Sequence, residues 1–386
     1  MATRDRYDEL IKSYEFQTGP TPKRDALKRG LQQTISPEDL EVLFLLPFVG
    51  PMKPEKLARK ARRKGISTED LEARLRHLHQ EAFVMKYEGK GGPLYERAFS
   101  AFMAEQQVRM RKGTELGAIY AEYWNNLSSI TMLNLPTRTP YLRVVPVESS
   151  VAPQGAKQTL AIHADIEDTR SILPIDIISE MVRKEPLIGV AECYCRLSQG
   201  MLGYDCSYPR ETCFTFNELA QDLIEIGIMR QVSADEAVEI LRKCEDAGLI
   251  HHADNCQEHL KALCNCCPCC CPGMKAYTMG LTNVGRPSRF HAQHDGGPCA
   301  LCETCVETCP VSAISAVERE IVIDTAKCIG CGHCATRCPE GVIEMALREE
   351  QAPILKTNDD LWGQIRREAV VGMVKGKLLG QERPKA

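Results

Sequence analysis

No cysteine occurs before position 193 or after position 338, although the chain of 386 residues holds twenty. Whatever chemistry the thiols perform is confined to the second half. Aromatic residues are scarce at 6%, and neither GxGxxG nor GxxxxGK(S/T) is present, so no Rossmann or P-loop nucleotide site is signalled. An independent flavin or nicotinamide enzyme is therefore disfavoured. Long apolar runs are missing too: MATRDRYDELIKSYEF lacks the core of a signal peptide, and the run from Val42 to Val49 is broken by Pro47 and too short for a bilayer. These absences predict a cytoplasmic protein with no membrane span. A net charge of −4 with 26% charged residues gives no general attraction to nucleic acid.

At roughly 100 to 200 residues per domain, the length predicts several domains of α+β class, each able to bury a core. The reading is a winged-helix-like unit (1–99), a helical segment and linker (100–160), a mixed α/β cysteine-rich domain (161–287), a domain built on a repeated cysteine motif (288–348) and a C-terminal docking helix (349–386).

In the first unit Ser36-Pro37-Glu38-Asp39 has the form of a helix start, with serine as cap, proline in the first turn and acids at the positive end of the dipole. Two further helices and FVMKYEGKGGPLYERAF, a strand-turn-strand pattern, complete it. The second helix is basic (Lys53, Lys56, Arg59, Lys60, Arg62, Arg63, Lys64), but the third, which would enter a major groove, begins with Glu69, Asp70 and Glu72. That disfavours nucleic acid and favours a partner-docking or solvated face. Four prolines between 136 and 160 predict a linker around a short strand candidate, YLRVVPVE. The tail predicts a helix with Leu361, Ile365, Ala369, Val370, Met373 and Val374 on one side, covering the protein's own core or a partner.

Thiols in a reducing compartment imply metal or redox chemistry rather than structural disulfides. Cys299, Cys302, Cys305 and Cys309 precede Pro310, and Cys328, Cys331, Cys334 and Cys338 precede Pro339, so CxxCxxCxxxCP occurs twice, 29 residues apart. In such a run three closely spaced thiolates bend onto one iron–sulfur cube, and the fourth, displaced by the longer gap, reaches the other. The crossed scheme assigns Cys299, Cys302, Cys305 and Cys338 to one [4Fe-4S] cluster and Cys328, Cys331, Cys334 and Cys309 to the second. Two four-thiolate zinc sites fit poorly, because zinc ribbons favour paired CxxC units at longer separation. With IVID before the second motif and Gly330 and Gly332 in its loop, residues 288–348 resemble a bacterial-type dicluster ferredoxin domain.

A second constellation comprises Cys193, Cys195, Cys206 and Cys213, then Cys264, Cys266, Cys267, Cys269, Cys270 and Cys271 within CNCCPCCCP. With the ferredoxin pattern downstream, it resembles a group of ferredoxin-containing proteins of anaerobic bacteria and archaea ordered winged helix, cysteine-rich domain, dicluster ferredoxin. Ten thiols exceed the needs of one tetrahedral ion or one cube. Adjacent cysteines in an extended chain face opposite ways, so Cys266 and Cys267, or Cys269 and Cys270, could divide between two centres. One or more additional Fe–S clusters are expected; a structural zinc site with spare thiols, or dithiol chemistry, are the competing readings. Arg196 is a candidate counter-charge or an ordinary surface residue. Cys244 reads as core, Cys256 as unassigned, His251 and His252 as capping or exposed residues after a helix end rather than metal ligands, and His333 as a neighbour of the second cluster.

The combined expectation is an iron–sulfur electron-transfer protein that needs a redox partner protein or oxidoreductase complex. A redox-responsive regulator and a reductase with its own open iron site are the alternatives.

Overall fold

The computed structural model describes residues 5–18, 21, 23–47, 50–87, 89, 92–134, 137–152, 172–281, 285–350 and 354–378. Residues 153–171, at the expected start of the cysteine-rich domain, lie outside the described set, as do the side chains of Ala369, Val370, Met373 and Val374 in the tail.

Seven helices and one hairpin make up the N-terminal half among the described residues: α1 (Arg6–Thr18), α2 (Arg24–Thr34), α3 (Pro37–Leu43), α4 (Pro54–Arg62), α5 (Thr68–Gln80), β1 (Val84–Tyr87), β2 (Leu94–Arg97), α6 (Ser100–Met110) and α7 (Glu115–Asn134). Local chemistry sets several ends. Ser36 and Asp39 exchange hydrogen bonds in a capping box that starts α3, and Ser67 caps α5 through the Asp70 amide. A single apolar core runs from Leu10 and Leu31 through Phe83 and Tyr120 to Cys193 and Leu223, so α6 and α7 belong to the same packing unit as the helices before them.

The middle of the chain builds a seven-stranded sheet. Its elements are β3 (Leu142–Val145), α8 (Glu148–Val151), α9 (Ile178–Arg183), β4 (Ile188–Glu192), α10 (Tyr194–Met201), β5 (Glu211–Phe216), α11 (Asn217–Glu225), β6 (Arg230–Val232), α12 (Ala234–Asp246), β7 (Ile250–Asp254), β8 (Ala262–Cys266), α13 (Pro272–Thr278) and β9 (Gly285–Arg286). Strand order is β6-β4-β5-β8-β7-β3-β9, antiparallel except for β3 with β9. The stretch expected as linker thus holds a sheet strand: β3 pairs with β7, more than a hundred residues away. Successive residues of a strand face opposite sides. Ile188 and Val190 pack with Met181, Val182 and Leu241 of α9 and α12, whereas Ala191 packs into the N-terminal helical core.

The third part holds β10 (Phe290–His294), α14 (Thr304–Thr308), β11 (Ile314–Val317), β12 (Glu320–Ile323), α15 (His333–Arg337) and β13 (Ile343–Leu347), with β10 paired to β13 and β11 to β12, and is followed by α16 (Asn358–Leu378). It is fastened to the sheet by a buried ion pair, Arg289 to Asp176 at 2.5 Å, and by the Val147 amide on Cys331 O at 2.9 Å. At the other end of the chain, α16 covers the protein's own body. Leu361 is buried, Trp362 stacks on Tyr141, and Glu368 accepts from the Arg138 and Thr139 amides at 2.7 and 2.9 Å. No helix among the described residues is long and apolar enough to cross a membrane.

Candidate metal and electron-transfer sites

Each CxxCxxC loop is followed by a one-turn helix, α14 or α15, and tight turns let the sulfurs converge. Gly330, at φ +69°, has no room for a side chain: a Cβ there would lie 2.1 Å from both Phe290 O and Ser288 Oγ. Cys299, Cys302, Cys305 and Cys338 line one cavity of about 320 Å3 with Ile321, Val342 and Ile343. Cys309, Cys328, Cys331 and Cys334 line another of about 340 Å3 with Ala292, Ile314 and Met345. Each cavity therefore collects three cysteines of one repeat and the last of the other. Amides already point at sulfur, Ala313 N to Cys309 at 3.1 Å and Ala292 N to Cys328 at 3.5 Å. Four thiolates in an apolar pocket are a donor set that fits an iron–sulfur cube.

Residues 298–342 match the 4Fe-4S dicluster domain family. The chain thus carries an iron–sulfur electron-transfer domain with two [4Fe-4S] clusters. The chain is 36% identical over 84 residues to hydrogenase-4 component A of Escherichia coli, 21% of this chain and 40% of that one. It is 49% identical over 47 residues to a selenate reductase subunit of Mesobacillus selenatarsenatis (11% and 16%), and 45% identical over 53 residues to an uncharacterized ferredoxin of Methanocaldococcus jannaschii (13% and 35%). The chain spans less than half the length of each of these relatives. No solved structure matches the chain.

The two cavities differ in exposure. Cys299 and Cys302 are exposed, whereas Cys328, Cys331 and Cys334 are buried. Cys331 and Ile329 share one apolar cluster with Val144, Ile250, Met274, Cys266 and Cys271, so the second cavity abuts the cysteine-rich layer. His333, expected beside the cluster, instead turns toward β7: its Nε2 lies 3.0 Å from Leu249 O, where it carries the proton.

The ten middle cysteines separate into two groups. Cys206, Cys267, Cys269 and Cys270 have ligand atoms all within 4.8 Å of one another, a compactness that no other trio of potential metal ligands reaches among the described residues. Sulfur separations are 4.0 Å for Cys206 to Cys267, 3.6 Å for Cys206 to Cys269 and 3.7 Å for Cys269 to Cys270. A tetrahedral ion with bonds of about 2.3 Å sets its sulfurs about 3.8 Å apart. The group is therefore a candidate site for one ion, Zn2+ or a lone iron, rather than for a cube.

The remaining six form a closed ring of thiol contacts in the order Cys193, Cys195, Cys271, Cys266, Cys264, Cys213. Register explains the convergence: Cys213 pairs with Cys264, residues opposite one another share a face, and Cys266 lies two residues further along it. Cys193 caps α10 directly after β4, and Cys271 caps α13. Hydrogen bonds from Cys195 and Cys213 hold Cys193 well below the ordinary range, and Cys264 and Cys271 are held down in the same way, while Cys195, Cys213 and Cys266 are raised. As alternation predicts, Cys266 and Cys267 divide between the groups; Cys269 and Cys270 do not, and the second division falls between Cys270 and Cys271.

Arg196 is wholly buried, not at the surface. Its guanidinium donates to Asn265 O at 3.1 Å and to Thr212 Oγ1, and contacts Cys267, so one cation serves both thiol groups. His251 and His252 are likewise buried on β7. His251 is satisfied by Asn265 Oδ1 at 2.5 Å, whereas His252 has no side-chain partner and only the Ile250 backbone as a hydrogen-bond contact. Opposite Cys264 in register and stacked on Tyr277, His252 faces the ring. The helical layer supplies the other wall: Glu105 accepts from Tyr194, and Arg109 lies over the Tyr194 ring at 4.8 Å. Cys244 is a core residue, and Cys256 receives the Asn358 amide at 3.4 Å beneath α16. Glu105 and Arg109 carried no signal in the sequence, since their place depends on how α6 crosses the sheet.

Proposed function

We propose that this chain is an electron-transfer subunit or accessory of an anaerobic oxidoreductase system, with the eight ferredoxin cysteines as cluster ligands in the crossed arrangement and further metal centres held by the ten middle cysteines. When bound, the clusters take up and release electrons one at a time. The observation that carries the reading is the shared apolar cluster joining Cys331 to Cys266 and Cys271, which gives electrons a dry, packed route from the ferredoxin domain into the cysteine-rich layer. Exposed Cys299 and Cys302 mark the opposite end, where a redox partner reaches the first cluster at the surface. Relatives named as a hydrogenase component and a reductase subunit support a subunit role.

The three helices α3, α4 and α5 with their hairpin, read as winged-helix-like, serve in this proposal as a cover and docking element. His79 on α5 is tied to Asp222 on α11 at 2.5 Å, both buried, which fixes α5 to the sheet domain. The outer start of α5 presents Glu69, Asp70 and Glu72 to solvent, a poor surface for a phosphate backbone. A cytoplasmic, reducing setting suits twenty cysteines that form no disulfide among the described residues.

The test is an anaerobic relay assay from reduced methyl viologen through the full-length protein to cytochrome c. Wild type is expected to accelerate the relay, and Cys328→Ser to slow it at least tenfold. Equal rates with and without the protein would remove the reading.

A further inference from the structure

We propose that the ring of Cys193, Cys195, Cys213, Cys264, Cys266 and Cys271 holds a polynuclear iron–sulfide core of its own, distinct from the single-ion site at Cys206, Cys267, Cys269 and Cys270. The inference deepens the electron-transfer reading by giving the buried end of the route a destination.

Ring size is the first argument. Each sulfur touches its two neighbours, yet no three of the six lie mutually within 4.8 Å. One tetrahedral ion cannot draw three thiolates from such a ring, because it needs all of them about 3.8 Å apart. Neither ferredoxin quartet forms a compact trio either, as sulfurs standing off the corners of a cube should not. The ring therefore has the open spacing of a cluster site, and the Cys206 group the close spacing of an ion site.

The second argument is His252. Its buried imidazole has no side-chain partner, and with the Ile250 backbone as its one hydrogen-bond contact it keeps a ring nitrogen unsatisfied, which nothing in a purely structural thiol core offsets. Opposite Cys264 it is aimed at the ring, where a sulfide or iron would give it a partner.

Charge is the third. Arg196 and Arg109 flank the ring from two sides, Arg196 toward Cys193 and Cys266 and Arg109 toward Cys193 and Cys213. Two guanidinium groups are a costly setting for neutral thiols and a suitable one for an anionic core. Six reduced thiols acting only as small hydrophobes would account for burial, but not for the arginines or the half-satisfied histidine.

The experiment is iron, acid-labile sulfide and zinc counting on full-length protein purified without oxygen, with Mössbauer spectroscopy of 57Fe-grown material. Two cubes supply about eight irons and eight sulfides. The proposal expects clearly more of both, with a Mössbauer component belonging to neither the cubes nor a lone tetrathiolate iron. Cys264→Ser should return the count to about eight while the ferredoxin EPR signals and the single ion remain; Cys269→Ser should lose only the single ion. A wild-type count that stops at about eight overturns the ring's core and leaves the electron-transfer reading standing. A count well below about eight overturns both. Should Cys264→Ser fail to fold, the wild-type stoichiometry and spectrum decide alone.

Discussion

Replacing Arg196 with methionine should destabilise the metal-loaded protein and leave the metal-free protein nearly unchanged. The guanidinium is wholly buried and contacts Cys267, while its other hydrogen bonds go to neutral acceptors, Asn265 O and Thr212 Oγ1. With an ion bound, four thiolates around a divalent cation carry net negative charge, and Arg196 is the buried counter-charge beside them. Removing one member of a buried pair costs about 3–5 kcal/mol. Without metal no anionic thiolate set is gathered around an ion beside Arg196, and the arginine keeps only its two neutral hydrogen-bond acceptors and its attraction to Cys193. Methionine of similar length then loses two hydrogen bonds, each worth about 1 kcal/mol, but removes a desolvated cation, so the terms largely cancel. The cycle of metal and mutation should show a coupling of about 3 kcal/mol. Urea unfolding under argon, with and without prior chelation, measures all four corners. Equal losses in the loaded and stripped forms would refute the reasoning, because Arg196 would then be acting through packing alone.

Three further outcomes follow from particular contacts. Burial works against the charge on Glu368, but the Thr139, Gln364 and Arg138 hydrogen bonds outweigh it and hold the carboxylate at about 2. A depressed carboxylate stabilises above its unfolded value near 4.5 and loses that contribution as pH falls through about 2. Solvent screening of this half-buried group limits Glu368→Gln to a cost of about 1–2 kcal/mol at pH 7, vanishing at pH 2, read from unfolding midpoints. His79→Ala leaves Asp222 buried and unpaired and should cost about 3–5 kcal/mol, with faster amide exchange in α5 and α11 as the check. Gly330→Ala drives a Cβ into backbone at φ +69°, so it should eliminate one ferredoxin cluster and about half of the reduced-cluster EPR intensity.

What the sequence disclosed and what it hid divide along contact distance. The repeats ending at Cys309 and Cys338 are local, since loop spacing and a following proline define each triplet, and the family match covers that stretch. Capping at Ser36 is local too. The six-thiol ring is not. It depends on Cys213 meeting Cys264 across β5 and β8, and on two helix caps, Cys193 and Cys271, arriving from elements far apart in the chain. Composition alone could count ten thiols but not partition them. His252 reads as a residue after a helix end because only Ala247 to Leu249 separate α12 from β7, leaving too little chain for a strand's alternation to show. Arg196 reads as ambiguous because charged residues are seldom fully buried; of the thiols it faces, Cys193 is three positions away, but Cys267 and Cys266 lie about seventy positions on. The linker reading of 136–160 rested on Pro136, Pro140, Pro146 and Pro153, and the four-residue β3 between them is a strand only because β7 offers it an edge.

The most direct measurement of the central claim is an EPR-monitored reductive titration of the full-length protein under anaerobic conditions. Two [4Fe-4S] clusters in adjoining cavities should give, on full reduction, magnetically interacting signals that integrate to about two spins for the ferredoxin domain and disappear reversibly on reoxidation. A protein that stays EPR-silent under strong reductant, or whose signal survives unchanged in Cys328→Ser, would contradict the account.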